Sequence, residues 1–249
     1  MMNLICIIMF GVLPTQLTAK PAFHAHNDYL HTRPLFDALD QGFDSVEADV
    51  FLVKNELLVG HFFWETKPER TLESLYLLPL SKLHKEGKLK NIWLMVDIKT
   101  NEAEPSAILL DQQLRRYPGL FSKVGEKDNA PVKVLLSGNM PREWVCSGKS
   151  NLLRLDGREG ELGKAEQSGI FPWVSEPWSK HFSWKGKGAI SEIEKAKLKT
   201  MALKAASANQ QLRFWGAPDL PECWKIQAES GVQRIGTDNL SGLAKQKFN

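Results

Sequence analysis

Ser45-Val46-Glu47-Ala48-Asp49-Val50-Phe51-Leu52-Val53 is an apolar, β-branched run interrupted only by two carboxylates at alternate positions. Residues two apart in a strand point to the same side, so Glu47 and Asp49 share one face and Val46, Ala48 and Val50 the other. Two carboxylates held together without a counterion repel, and at least one would have to keep its proton. A divalent cation removes that cost, and oxygen ligands of this kind suit Mg2+ or Ca2+. The run reads as a buried strand with its polar chemistry on one face.

Working outward, comparable β-rich runs recur at residues 22–25, 45–50, 92–98, 132–137, 152–155, 171–175, 212–215 and 232–235. Helical patterns fall between them, among others at 34–41, 105–116, 192–209 and 221–230. Strands alternating with helices make a parallel sheet of βα units. Eight strands in a chain of 249 residues point to an α/β fold closed as a (β/α)8 TIM barrel. No Gly-x-Gly-x-x-Gly turn follows the first strand, which argues against a doubly wound open sheet. Residues 20–249 are expected to form a single domain.

The composition narrows the partners. A net charge of +3 gathers into no basic stripe or tail, so nucleic acid is not an expected partner. Residues 4–13 are almost wholly apolar and no charge precedes Lys20. That run is too short to span a bilayer but suits a secretory signal ending near Ala19, so residues 1–19 are expected to direct export. Cys6 would leave with the signal. Cys146 and Cys223 fall in helices expected far apart around the ring, which predicts two free, mostly buried thiols.

Polar residues cluster where the strands end: His26-Asn27-Asp28, Glu47 and Asp49, Asp97 and Lys99, Ser137-Gly138-Asn139, Asp156, Glu176, and Thr237-Asp238-Asn239. In a TIM barrel such ends converge on one mouth, where active sites lie. Each residue alone also reads as a cap or a satisfied polar group, and Asp156 and Asp238 are read that way. Asp97 supplies a third carboxylate beside the first two. Asn55 to His61 reads as a hairpin arm that returns His61 to the mouth near His26, and two such imidazoles can act as a general acid and a general base. Trp64, Trp173, Trp178, Trp184 and Trp215 could line the mouth, with 171–184 as a lip toward lipid.

His26-Asn27-Asp28, Arg33-Pro34-Leu35, the 45–50 strand and Leu58-Val59-Gly60-His61 together resemble the phosphatidylinositol phospholipase C-like phosphodiesterase superfamily, which includes the glycerophosphodiester phosphodiesterases. His24-x-His26-Asn27-Asp28-Tyr29, Leu212-Arg213-Phe214-Trp215-Gly216-Ala217-Pro218 and Thr237-Asp238-Asn239-Leu240 resemble its altered inheritance of mitochondria branch. The resemblance implies one divalent cation on Glu47, Asp49 and Asp97, with His26 and His61 as acid and base. It implies a small-molecule or lipid phosphodiester as substrate, with transient contact to a membrane surface. Glycerophosphodiesterases typically carry Arg where this chain has Asn27. Lys99 and Arg33 are therefore the candidate replacements at the phosphate, with Asn27 and Trp215 also expected to line the substrate site. Asp97 stands where those enzymes usually have Glu, a likeness to venom phospholipases D, whose sites can form a cyclic phosphate. Two other readings compete: a barrel that only binds a sugar or phospholipid head group, and an amidohydrolase using His24-x-His26. The second lacks histidines on strands 5 and 6, His181 lying in a loop.

Overall fold

Nine strands are present in the computed structural model, which describes residues 20–127 and 130–248. They are β1 (Ala22–Ala25), β2 (Ser45–Val53), β3 (Glu56–Val59), β4 (Ile92–Ile98), β5 (Val132–Gly138), β6 (Leu153–Gly157), β7 (Trp173–Pro177), β8 (Gln211–Trp215) and β9 (Arg234–Thr237). The helices are α1 (Phe36–Asp40), α2 (Leu78–Lys85), α3 (Ala103–Arg115), α4 (Arg142–Cys146), α5 (Trp178–His181), α6 (Glu192–Ser207), α7 (Pro221–Glu229) and α8 (Leu240–Ala244). The expected signal at 1–19 lies outside the described residues.

Eight of the strands run parallel in the order β8-β7-β6-β5-β4-β2-β1-β9, and β3 pairs antiparallel with β2. The sheet curls into the expected TIM barrel, nearly closed. Side chains bridge the seam between its outermost strands: Leu212 N–H donates to Gln233 Oε1 and Arg234 Nε to Gln211 Oε1, both at 2.9 Å. Register fixes the site, because Asp49 pairs with Asp97 and Asp97 with Ser137 at one level of the barrel.

Two strands begin two residues later than the sequence pattern indicates, for local reasons. Pro172 has no N–H to give a ladder, so β7 starts at Trp173. Val232 N–H is spent on Gln227 O, closing the end of α7, so β9 starts at Arg234. A shift of two preserves which side chains face inward.

Alternation along the strands separates two interiors. Outward residues such as Val46, Ala48, Val50, Leu94, Val96, Val134 and Leu136 form the main core beneath the helices. Inside the barrel, Met95, Leu135 and Trp173 make a small apolar plug with Trp93 against it, and the Arg234 guanidinium lies 4.1 Å from the Trp173 ring centre. Helix α6 shows how a flanking helix is held. Ser191 caps it by accepting from Glu194 N–H, and Leu198, Met201, Ala202 and Ala205 form its buried seam at helical spacing. Full burial of a side chain such as Leu198 is worth about 1.5–3 kcal/mol.

Two expectations are corrected here. Residues 171–184 are no lip: Trp173, Trp178, Phe182 and Trp184 are buried, the last three packing with Leu198 and Phe214 under α6. The free thiols divide, Cys223 being buried and Cys146 exposed at the end of the short helix α4.

Candidate active site

Glu47 forms the floor of the mouth. Its Oε2 accepts from Arg213 Nη2 at 2.9 Å and from His24 Nε2 at 2.7 Å. His24 is wholly buried, and its Nδ1 lies 2.9 Å from Ser45 Oγ. Burial, and next the Arg213 charge, press His24 down to about 3. It is therefore a neutral imidazole that donates one N–H to Glu47. Burial alone would push Glu47 up, but Arg213 and the His24 bond outweigh it and hold the carboxyl below its usual range. His24 is thus committed to Glu47 and Ser45, and His181 to Glu176 at 2.8 Å. The amidohydrolase reading gains nothing from either.

Asp49 and Asp97 stand one level nearer the opening. Lys99 Nζ sits 3.1 Å from Asp49 Oδ2 and 3.1 Å from Asp97 Oδ1. Burial and the nearby Glu47 charge raise both carboxyls despite Lys99, Asp97 to about 6. Gly138 makes room for Asp97, since a Cβ there would collide with Asp97 Oδ1 and Ile98 O. The backbone at Gly138 is also left-handed, with φ 67°.

Ligand atoms of Glu47, Asp49 and Asp97 all lie within 4.8 Å of one another. Among the described residues, Asp49 Oδ1 is buried with no hydrogen-bond partner. Three carboxylates here face two cations, Arg213 and Lys99. A converging all-oxygen set with an orphaned acceptor and excess negative charge fits a hard divalent cation.

The two histidines flank this group. The β2–β3 hairpin forms as the sequence indicates, with Gly60 N–H on Asp49 O returning the chain to the mouth. His61 Nδ1 then lies 3.1 Å from Asp49 Oδ2, and Tyr29 donates its hydroxyl to the same oxygen at 2.9 Å. His26 ends β1, and its Nδ1 lies 2.8 Å from Asp238 Oδ1. Burial opposes protonation of His26, but the Asp238 bond and the Glu47 charge outweigh it and leave the imidazole raised.

A cavity of about 470 Å³ opens among these residues, lined by His26, Glu47, His61, Asp97, Lys99 and Trp215, with Ser137, Asn139, Arg158 and Arg213 completing its wall. Two expected members stand elsewhere. Arg33 is exposed on α1's approach, bonded to Asp37 at 2.9 Å and Asp40 at 2.7 Å, and does not line the cavity. Asn27 is not a lining residue either. Its backbone is left-handed (φ 48°), a conformation Asn tolerates better than most, and its side-chain amide lies 3.0 Å from the Tyr29 hydroxyl. It shapes the turn that aims His26.

Sequence reasoning missed Arg213 and Asp238. Arg213 was signalled by a lone charge inside an apolar strand. Asp238 looked like a cap because its partner is remote in sequence. Of the exposed aromatic turn, sequence reasoning named Trp64 alone: Phe62, Phe63 and Trp64 follow His61 directly and are 44%, 59% and 78% exposed.

Comparison with known proteins finds the same likeness as the motifs. Residues 15–91 match the model of the AIM6-like phosphodiesterase domain. The chain is 29% identical to altered inheritance of mitochondria protein 6 of Lachancea thermotolerans, the match covering 92% of this chain and 66% of that protein. It is 25% identical to the homologue in Arthroderma benhamiae, over 88% of this chain and 81% of that protein. The chain therefore spans about two thirds of the length of the Lachancea relative. Among solved structures, a glycerophosphodiester phosphodiesterase from Agrobacterium tumefaciens superposes with a TM-score of 0.52 at 12% identity, covering 90% of this chain and 97% of that one. The chain is thus similar to the phosphodiesterases of the altered inheritance of mitochondria branch, the likeness read from the sequence, and the superposition supports the barrel fold.

Proposed function

We propose that the chain is a metal-dependent phosphodiesterase acting on a glycerophosphodiester or phospholipid-type substrate by histidine acid–base catalysis. The observation that carries this reading is the placement of His26 and His61 on one cavity around Glu47, Asp97 and Lys99.

Glu47, Asp49 and Asp97 would hold one Mg2+ or Ca2+, which when bound supplies positive charge to the phosphoryl oxygens and to charge developing in the transition state. Lys99 adds a second positive charge at the phosphate. His26 takes the proton of the attacking hydroxyl, from water or from the substrate itself. Asp238 keeps the other proton on Nδ1 and stabilises the imidazolium that results, as a carboxylate does in a catalytic dyad. His61, with Nδ1 turned to Asp49, gives a proton to the leaving alcohol. One O–P bond forms and one breaks; an attacking water gives a linear product and a substrate hydroxyl a cyclic phosphate. Trp215 offers an aromatic wall to the alcohol portion. With the aromatic residues of 171–184 buried, the turn at Phe62, Phe63 and Trp64 is the surface through which the site would meet lipid.

A panel of glycerophosphodiesters and lysophospholipids, assayed with and without EDTA and followed by phosphorus NMR, tests the reading. Metal-dependent turnover abolished by His26→Ala and by His61→Ala is expected. Full activity in EDTA, or in either variant, would sink it. Binding of the head group without turnover would favour a non-catalytic barrel instead.

A further inference from the structure

Arg213 is an unusual neighbour for a metal ligand. Its side chain is almost wholly buried, with Nη2 2.9 Å from Glu47 Oε2 and Nη1 3.7 Å from Met95 Sδ. Its Nε is buried with no hydrogen-bond partner among the described residues. Gly236 on β9 packs beside it, where a Cβ would stand 3.4 Å from Nε, at van der Waals contact. The guanidinium is thus wedged in the barrel with one ionic partner, on the same oxygen that His24 already orients.

Groups that orient a metal-bound carboxylate do so by hydrogen bonding, which a neutral donor such as His24 supplies without adding charge. A full positive charge on the same carboxylate also repels the incoming dication and competes for its electron density. We infer that Arg213 is a resident counter-cation for Glu47: it holds the carboxylate in place without metal and makes the divalent cation a weakly held, exchangeable ligand. The inference rests on the reading of Glu47, Asp49 and Asp97 as a metal site. Arg213 is a positioning residue in this account, not a group that touches substrate. The barrel then has no need of metal to fold, unlike a site whose buried carboxylates are paired only by the ion.

Three variants test it, with MgCl2 and CaCl2 titrated into each protein by calorimetry and melting followed by circular dichroism in EDTA and in saturating metal. Arg213→Met removes the charge at similar length, and Arg213→Gln removes it but keeps an N–H for Glu47. Arg213→Lys keeps the charge. The Met and Gln variants are expected to bind metal roughly tenfold or more tightly than the wild type. They should melt lower in EDTA and gain more on adding metal, by mass action. The Lys variant should bind within about threefold of the wild type. If the Met variant folds only with metal, that too supports the assignment, and the Gln variant then supplies the affinity. Wild-type binding with no gain in either neutral variant overturns the role of Arg213 and leaves the metal reading standing. Failure of the folded wild type and all folded variants to bind either ion overturns both.

Discussion

His26 Nδ1 lies 2.8 Å from Asp238 Oδ1, a bond between residues 212 positions apart that ties the end of the first barrel strand to the end of the last. The carboxylate fixes the ring, and together with the Glu47 charge it outweighs the burial that would otherwise favour the neutral imidazole. As the proposed base, His26 must be unprotonated to work, so its raised pKa sets the rising limb of the pH profile. Asp238→Asn removes the stabilising charge, and that limb of kcat/KM should move to lower pH. The plateau should fall by about 10²–10⁴, the usual worth of a positioned proton-transfer group. A reduced plateau with an unmoved limb would mean that Asp238 only packs beside His26.

That bond also marks where sequence reading stops. Glu47 and Asp49 were legible because strand alternation is local, and His61 because the hairpin returning it is only a few residues long. Lys99 and Asp97 were legible as the polar end of an apolar strand. Asp238 and Arg213 act through partners brought together by barrel closure, which no short window contains. Arg33 fails for the opposite reason: Asp37 and Asp40 lie within two helical turns and satisfy it before it can reach the mouth. The tryptophans of 171–184 misled because aromatic content does not tell which side of a strand or helix is covered: Trp173 fills the barrel interior, and α6 covers Trp178 and Trp184.

Asp97 carries the next prediction. Burial and the Glu47 charge lift its carboxyl to about 6, so a proton competes with a metal ion for it near that pH. Mg2+ affinity should therefore decline as pH falls from about 7 to about 5 through the lifted pKa of Asp97. Asp97→Asn should bind metal more weakly at neutral pH and lose that part of the pH dependence, while melting no lower than the wild type in EDTA, because the lifted carboxyl opposes folding at neutral pH. Titration calorimetry at several pH values reads this directly. Unchanged affinity in the variant would remove Asp97 from the site.

Phe63 and Trp64 should govern contact with lipid. Glu65 fixes their turn by accepting from the His61 and Phe62 backbone N–H groups at 3.2 and 3.1 Å, and the Phe62 and Trp64 rings stack at 4.7 Å. The exposed rings are thus held outward beside the mouth, where an amphipathic ring can enter a bilayer interface. Phe63→Ala and Trp64→Ala should each weaken sedimentation with phosphatidylcholine vesicles by roughly tenfold, in line with the apolar area withdrawn. Turnover of a short, water-soluble phosphodiester should stay the same. Equal loss on the soluble substrate would point to a disturbed His61 rather than a lost lipid contact.

Asp28 tests the scaffold beneath the site. It is fully buried, and its Oδ2 accepts from Leu35 N–H at 2.6 Å and from Tyr76 hydroxyl at 2.9 Å. Leu35 occupies the centre of a tight turn (φ 67°, ψ −52°) closed by Phe36 N–H on Pro34 O at 2.8 Å, a conformation strained for a residue with a side chain. Asp28 holds that turn, but burial lifts its carboxyl to about 6 from an ordinary 3.8, despite the two bonds that favour the charged form. Below the ordinary value the acid is protonated in both folded and unfolded chains and imposes no charge penalty. As pH rises to about 6 the unfolded chain ionises first, and folding loses up to about 3 kcal/mol that stays lost at neutral pH. Asn is the neutral isostere of the protonated acid, and its Oδ1 can still accept from Leu35 and Tyr76. Asp28→Asn should therefore unfold in urea with nearly wild-type stability near pH 4 and with greater stability than the wild type at pH 7. A variant that is less stable than the wild type at neutral pH would show that the charge itself, not the shape and acceptor of the side chain, is what holds the Leu35 turn.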